Sequence, residues 1–296
     1  MNTIRHESRA VLRGLAFLSP WLIGFLVFTL VPVALSLYYS FTDYTLLQPP
    51  IFTGTENYHT LTSDPVFWKV LRNTFVYGAV ALPLGMMAAL GVAMLLNNKV
   101  RGVTIYRTIV FLPSLVPAVA SAMLWLWLFN AKLGLINTFL RGIGISNPPG
   151  WLTDVDWAMS ALVLMSFWGI GNTVVIYLAG LQDVPRELYE AADIDGATTP
   201  RKVWHVTLPY VSPVIFFNLI MGIIGTLQLF AAPYIVTQGG PARATYLYTM
   251  YLYDNAFKYL NMGYASAMAW VQLLLVLALT ALAFWSGKRW VHYQGR

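Results

Sequence analysis

Cysteine is absent from the 296 residues, which rules out disulfides, thiolate metal sites and a cysteine nucleophile. Charge is nearly as scarce. Asp, Glu, Lys and Arg make up 10% of the chain, against roughly 25% in soluble domains. So few charges do not keep a monomeric surface of this size in water. No G-x-x-x-x-G-K-[ST] loop occurs, so the chain does not hold ATP by that device. H-E-x-x-H and G-x-S-x-G are missing as well. The four histidines, His6, His59, His205 and His292, lie far apart. No catalytic residue and no metal site is expected, and an enzyme is disfavoured.

What is present is apolar: 58% of the residues are hydrophobic. A charge at the bilayer centre costs about 2.5–3.5 kcal/mol on insertion scales, so uncharged intervals mark candidate spans. Six such intervals lie between Arg13 and Asp43, Arg72 and Lys99, Arg107 and Lys132, Asp156 and Asp183, Lys202 and Arg243, and Lys258 and Lys288. Each exceeds the ~20 residues a spanning helix needs. The fifth is long enough for two short spans, but Pro233 and Thr237-Gln238-Gly239-Gly240-Pro241 read as loop, so one span is assigned. An all-α membrane protein of six transmembrane helices is expected.

The spans are placed at 15–40, 73–97, 108–130, 157–181, 209–234 and 262–286. Between them lie an outer loop 41–72 with an interfacial segment, a cytoplasmic loop 98–107, an outer loop 131–156, a cytoplasmic loop 182–208 and an outer loop 235–261. Tails 1–14 and 287–296 complete the chain. Orientation follows the excess of Lys and Arg on the inner side. Inner segments hold Arg5, Arg9, Arg13, Lys99, Arg101, Arg107, Arg186, Arg201, Lys202, Lys288, Arg289 and Arg296. Outer segments hold only Lys69, Arg72, Lys132, Arg141, Arg243 and Lys258. Both termini are therefore expected to be cytoplasmic. The net charge of +6 follows from this bias, and no nucleic-acid partner is expected. The first span is too long for a signal peptide and lacks a clear cleavage site, so it reads as retained.

Pro32, Pro83, Pro113, Pro117 and Pro213 fall inside the spans and predict kinks. On the second span Ala81, Gly85, Ala89 and Ala93 recur every four residues, a face of small side chains suited to close packing within the chain or against a partner. No ionised residue lies inside a span, which weakens an ion-coupled carrier without excluding it, because backbone carbonyls can bind sodium. In the outer loop 43–72, Pro49-Pro50, Trp68 and four further aromatics suit either a segment resting on the membrane interface or a contact for a soluble partner.

The loop 182–208 stands apart, with eight charges between Asp183 and Lys202 and a pattern of order. Asp183 is expected to cap a helix with Pro185 in its first turn. Leu188, Ala191 and Ala192 fall on one face, and Gly196 is suited to a left-handed stop. Thr199-Pro200 restarts a short helix through Trp204, and Leu208-Pro209 opens the fifth span. An elbow with outward alanines fits a soluble partner at close range, or else an amphipathic loop against headgroups.

Glu190-Ala191-Ala192, three residues, Gly196, nine residues, then Val206-Thr207-Leu208-Pro209 resembles the EAA loop of ABC importer permeases, with Val206 in place of the usual isoleucine. Pro185-Arg186-Glu187-Leu188-Tyr189-Glu190-Ala191-Ala192-Asp193-Ile194-Asp195-Gly196-Ala197 is similar to the carbohydrate-uptake branch. Ser19-Pro20-Trp21, Asn73-Thr74 and Gly239-Gly240-Pro241 resemble the maltose-type first permease subunit. The resemblance implies the type I ABC importer permease fold, with a core permease domain over 70–288, in a bacterial or archaeal plasma membrane. It further implies a companion permease subunit, two ATPase subunits that bind MgATP, and an extracytoplasmic sugar-binding protein. No cofactor is implied in this chain. Glu190, Ala191, Ala192, Asp195 and Gly196 would be the ATPase-coupling contacts.

A substrate path between spans needs polar groups and small residues. On the fourth span Met165, Trp168, Gly169 and Asn172 are expected to share a face. On the fifth, Asn218, Gly222, Gly225, Thr226 and Leu229 do the same. Such faces suit a neutral, hydroxyl-rich substrate such as a sugar or polyol, while ordinary helix packing uses the same residue types. The alternative function is a self-sufficient six-span carrier or channel for a small polar solute.

Overall fold

The computed structural model describes residues 2–98 and 101–292, with the backbone alone for 2–13. Lys99 and Arg296, counted above among the inner cations, lie outside the described residues. The chain divides into two compact units, one built from the residues up to Asp64 with Leu252–Val271, the other from Pro65–Tyr251 with the residues from Gln272 on.

In the first unit α1 (Asn2–Phe25), a π turn (Leu26–Leu30) and α2 (Val31–Tyr39) run on as one helix. The widened turn has a local cause. Pro32 removes a backbone N–H, and its ring crowds the carbonyl four residues back, that of Phe28. That carbonyl lies inside the π turn, where an extra residue gives the ring room. The segment after it is folded: β1 (Thr42–Asp43) pairs antiparallel with β2 (Ile51–Phe52), and α3 (Glu56–Ser63) follows. Asn57 ties the hairpin down, its Nδ2 donating to the Ser40 and Thr42 carbonyls at 3.0 and 2.9 Å. The hairpin tip presents Leu47 at 82% exposure.

The second unit opens with α4 (Pro65–Asn97), which starts eight residues before the span placed at 73–97. It continues through α5 (Val103–Phe111), a 3-10 turn (Leu112–Leu115), α6 (Ala118–Leu128), α7 (Leu135–Gly142), α8 (Val155–Ser166), a 3-10 turn (Phe167–Gly169) and α9 (Gly171–Gln182). Then come α10 (Arg186–Ile194), α11 (Thr199–Lys202), a π turn (Val203–Thr207), α12 (Leu208–Leu227) and α13 (Ala231–Val236). α14 (Tyr248–Tyr253) and α15 (Met262–Trp290) have residues in both units.

Among the described residues four helical runs are long and apolar enough to cross a membrane, Gly14–Tyr39, Pro65–Asn97, Thr199–Val236 and Met262–Trp290. Two bent pairs bring the number to six when each counts as one span. In the first pair Val103–Leu115 and Ala118–Leu128 meet at 98°. The residue before a proline is pushed out of the helical region. Val116 accordingly sits at ψ 128°, ahead of Pro117. The third span is thus a sharp corner rather than a kinked rod.

Helix α4 packs against α9 through the small-residue stripe. Ala89 and Ala93 are fully buried and Ala81 is 4% exposed, with Val174, Tyr177 and Leu178 of α9 in the same cluster as Ala89 and Ala93. Without a hydrophobic drive between helices in lipid, close backbone approach supplies the van der Waals contact. Packing within the chain uses Ala89 and Ala93 of this stripe, while Ala81 and Gly85 border a cavity. Asn73 and Thr74 at the start of the predicted span clasp the segment 243–248. Asn73 Nδ2 donates to the carbonyls of Arg243 (2.8 Å) and Tyr246 (3.0 Å), and the Tyr248 N–H donates to Thr74 Oγ1 (2.9 Å). Tyr248 is itself buried, and that burial pushes its phenol above the ordinary range.

Candidate functional site

Two places gather the residues singled out by the sequence. The first is the elbow. Pro185, at φ −58° and ψ 135°, occupies the position before α10, while Asp183 ends α9. The cap expected from Asp183 is therefore not made: Asp183 belongs to the end of α9, and Pro185, which fixes the extended entry and has no side-chain acceptor, takes the capping position. At the far end Gly196 adopts φ +70°. Its N–H donates to the Asp193 carbonyl at 3.0 Å, and that of Ala197 to the Ala192 carbonyl at 2.8 Å. This pair of bonds is the Schellman closure, which requires a left-handed residue and so favours glycine.

The second elbow helix does not stop at Trp204. α11, the π turn and α12 form one run from Thr199, so the elbow leads into the fifth span without a break. Here too a proline explains the π turn: the carbonyl that Pro209 would crowd is that of His205, within Val203–Thr207. Pro32 and Pro209 are thus accommodated in the same way.

Glu190, Ala191, Asp195 and Gly196 are exposed and Ala192 is half-buried. Ala191, Ala192 and Asp195 line a groove of about 480 Å³ whose other wall carries Arg201, Lys202 and His205. Lys202 closes an ion pair with Asp193 across the elbow. Sequence reasoning missed Ile194 and Trp204, 88% and 69% exposed. Two large apolar side chains inside a charged loop were the signal that pointed to them.

The second place is a cavity of about 300 Å³ between α4, the α8–α9 corner and α12. Of the predicted path residues, Gly169, Asn218, Gly222 and Thr226 line it. Tyr77, Ser166 and Thr173 join them, unforeseen. The Ser166 hydroxyl donates to the Val163 carbonyl at 2.6 Å. Asn218 uses one of its two amide N–H groups on the Val214 carbonyl at 2.9 Å, which leaves the other N–H and the oxygen to offer. Thr226 donates back to the Gly222 carbonyl at 2.8 Å. No ionised side chain is in the lining.

The five other predicted path residues stay outside. Met165, Trp168, Gly169 and Asn172 do not share a face, because α8 and α9 meet at 50° through the 3-10 turn. The cause is local. A side chain at Gly171 would meet the Val110 carbonyl at 2.7 Å, so glycine lets a second backbone press in where the helix breaks. Met165 is buried in the core, and Trp168 stands edge-on to Trp125, ring centroids 6.0 Å apart. Asn172 and Gly225 are exposed. Leu229 lies past the end of α12 and packs on the core.

Residues 81–292 match the family described as the binding-protein-dependent transport system inner membrane component. The chain belongs to that family. It is therefore a permease, a multi-pass inner-membrane transport subunit. Among curated relatives, the permease is 41% identical to the probable ABC transporter permease protein YesP of Bacillus subtilis (strain 168), over 100% of this chain and 97% of that one. It is 37% identical to the lactose transport system permease protein LacF of Rhizobium radiobacter, over 93% and 94%. Among solved structures, a bacterial alginate ABC transporter in complex with an alginate pentasaccharide-bound periplasmic protein contains a chain of the same fold. The TM-score is 0.84 at 24% identity, over 96% of each chain. The permease thus has the type I importer fold, and membership of a binding-protein-dependent family sets aside the self-sufficient carrier.

Proposed function

We propose that this permease moves a neutral carbohydrate inward, paired with a companion permease, fed by an extracytoplasmic binding protein and driven by two ATPase subunits docked at the elbow. Both termini then face the cytoplasm. MgATP binds and is hydrolysed on the ATPase subunits, in keeping with the missing phosphate loop here.

The observation that carries the substrate reading is the cavity lining of hydroxyl and amide groups with no charge. A sugar hydroxyl both donates and accepts, as Tyr77, Ser166, Thr173 and Thr226 do. An anion taken out of water would need a paired cation, which this lining does not offer. The lactose named for one relative agrees. The path residues in this reading are Gly169, Asn218, Gly222 and Thr226, with Tyr77, Ser166 and Thr173. Asn172 is exposed within a span, where an amide facing hydrocarbon costs several kcal/mol. We assign its face to the companion and the watered path between the two.

The test is a mild-detergent pull-down of the tagged permease expressed with its neighbouring genes, beside a Gly196→Asp copy. An ATPase and a second permease co-purify with the native chain, and the ATPase is lost from the variant. Uptake by the reconstituted complex is then competed by neutral sugars and not by sugar acids. Competition by acids alone overturns the substrate reading.

A further inference from the structure

The elbow touches the bundle through two hydroxyls that lie within the motif but were given no role by it. Tyr189 of α10 and Thr207 of the π turn are hydrogen-bonded, oxygen to oxygen, at 2.9 Å. Thr207 is 4% exposed, and its hydroxyl also reaches the Lys202 carbonyl at 3.4 Å. With the Thr207 proton turned toward that carbonyl, Tyr189 is the donor in the pair. Tyr189 sits on the face of α10 opposite the exposed Glu190 and Ala191, packed with Val206 and Tyr210 on the core cluster of Leu178, Leu181 and Val211. The bond therefore joins the first elbow helix to the turn from which α12 grows. That run reaches Asn218 and Gly222 at the cavity without a break.

We propose that Tyr189 and Thr207 are positioning residues that form a lock, making the elbow and α12 move as one body, so that ATPase-driven displacement arrives at the cavity. The lock rests on the reading of the elbow as the ATPase dock. The geometry requires something of this kind. A π turn interrupts the regular bonding of the helix on either side, and helices bend sharply at such bulges. A push on α10 would be absorbed at Val203–Thr207 unless the turn were braced. The Tyr189 bond braces it from outside, between a half-buried tyrosine and a buried threonine. Lys202 with Asp193 ties the two elbow helices to each other, and the Tyr210 hydroxyl donates to the Asp183 carbonyl at 2.8 Å. Neither of those bonds reaches the π turn from α10.

The absence of native cysteine makes a clean reporter possible. Met221 of α12 is 53% exposed and lines the cavity. Met221→Cys is labelled with a maleimide in the purified complex in nanodiscs, with and without MgATP and vanadate, and the ratio of labelling rates reads movement of α12. In that background Thr207→Val and Tyr189→Phe keep the ATPase bound, yet each brings the nucleotide-dependent ratio down by roughly 2–10-fold, the worth of one neutral hydrogen bond. Thr207→Ser restores it. The double variant loses no more than either single, as expected of partners in one bond. A native ratio in both singles, or a Thr207→Ser as impaired as Thr207→Val, overturns the lock while the ATPase dock stands. If the native complex holds no ATPase, or Gly196→Asp retains it, the docking reading fails and the lock falls with it.

Discussion

Two glycines one turn apart on α12 show how differently one residue type is used. A side chain at Gly222 would run into the tip of Leu82 on α4, whereas at Gly225 it meets nothing within 4 Å. Gly222→Leu therefore forces the flexible end of Leu82 aside, toward the cavity it borders, and costs about 1 kcal/mol, the low end for overpacking, visible as a slightly lower unfolding midpoint in detergent. Gly225→Leu leaves that midpoint unchanged. Gly196 is constrained by its backbone instead. At φ +70° a Cβ costs about 1–2 kcal/mol, and asparagine less because it tolerates the left-handed region. Gly196→Ala should accordingly speed hydrogen exchange at the Ala197 amide, the donor that closes the helix, by about tenfold. Gly196→Asn should show a smaller rise. Equal effects from alanine and asparagine would assign the cost to bulk rather than to φ.

At the scale of elements, helices were legible and corners were not. Uncharged length marks a span because burying charge in lipid is expensive, and that rule holds whatever the helix does inside the interval. It carries no information on where a span bends. The 98° corner at Pro117 was foreshadowed by its proline. The 50° break at Gly169–Gly171 was not, because a glycine gives way only where another backbone presses on it, and Val110 lies about sixty residues away in sequence. For the same reason the helical face drawn through Met165, Trp168 and Asn172 dissolved, while the straight face through Asn218, Gly222 and Thr226 survived. The motif fragments Asn73-Thr74 and Gly239-Gly240-Pro241 were visible separately, but their neighbourhood was not. Tyr246 is the link: its carbonyl accepts from Asn73, and its ring is what a side chain at Gly239 would meet. Asn73→Ala takes a donor from the buried Tyr246 carbonyl and from the part-buried Arg243 carbonyl, at about 1–3 kcal/mol for the group left unsatisfied. Asn73→Asp does as badly, since a carboxylate has no N–H to give. Thermal unfolding of the two variants should fall together, and full stability of either would show that the clasp is ornamental.

Across the whole molecule the decisive asymmetry is one of charge. Lys and Arg flank the spans in a biased way, and this bias sets orientation through cost of translocation rather than through any contact inside the fold. The helices alone are compatible with either sense of insertion, which is why the sidedness has to be read from the sequence and tested in a membrane. The cysteine-free chain allows one thiol at a time. Leu47, on the hairpin tip, is 82% exposed, and Gly14 has open space around it. In right-side-out vesicles an impermeant maleimide should label Leu47→Cys at once and Gly14→Cys only after the vesicles are opened. The opposite order would place the elbow on the outer face, where no ATP is available. Transport driven at Glu190-Ala191-Ala192 would then be impossible, whatever the fold. The same pair of thiols tests the drive as well as the direction, because only a permease with its elbow inside can be pushed by ATP hydrolysed in the cytoplasm.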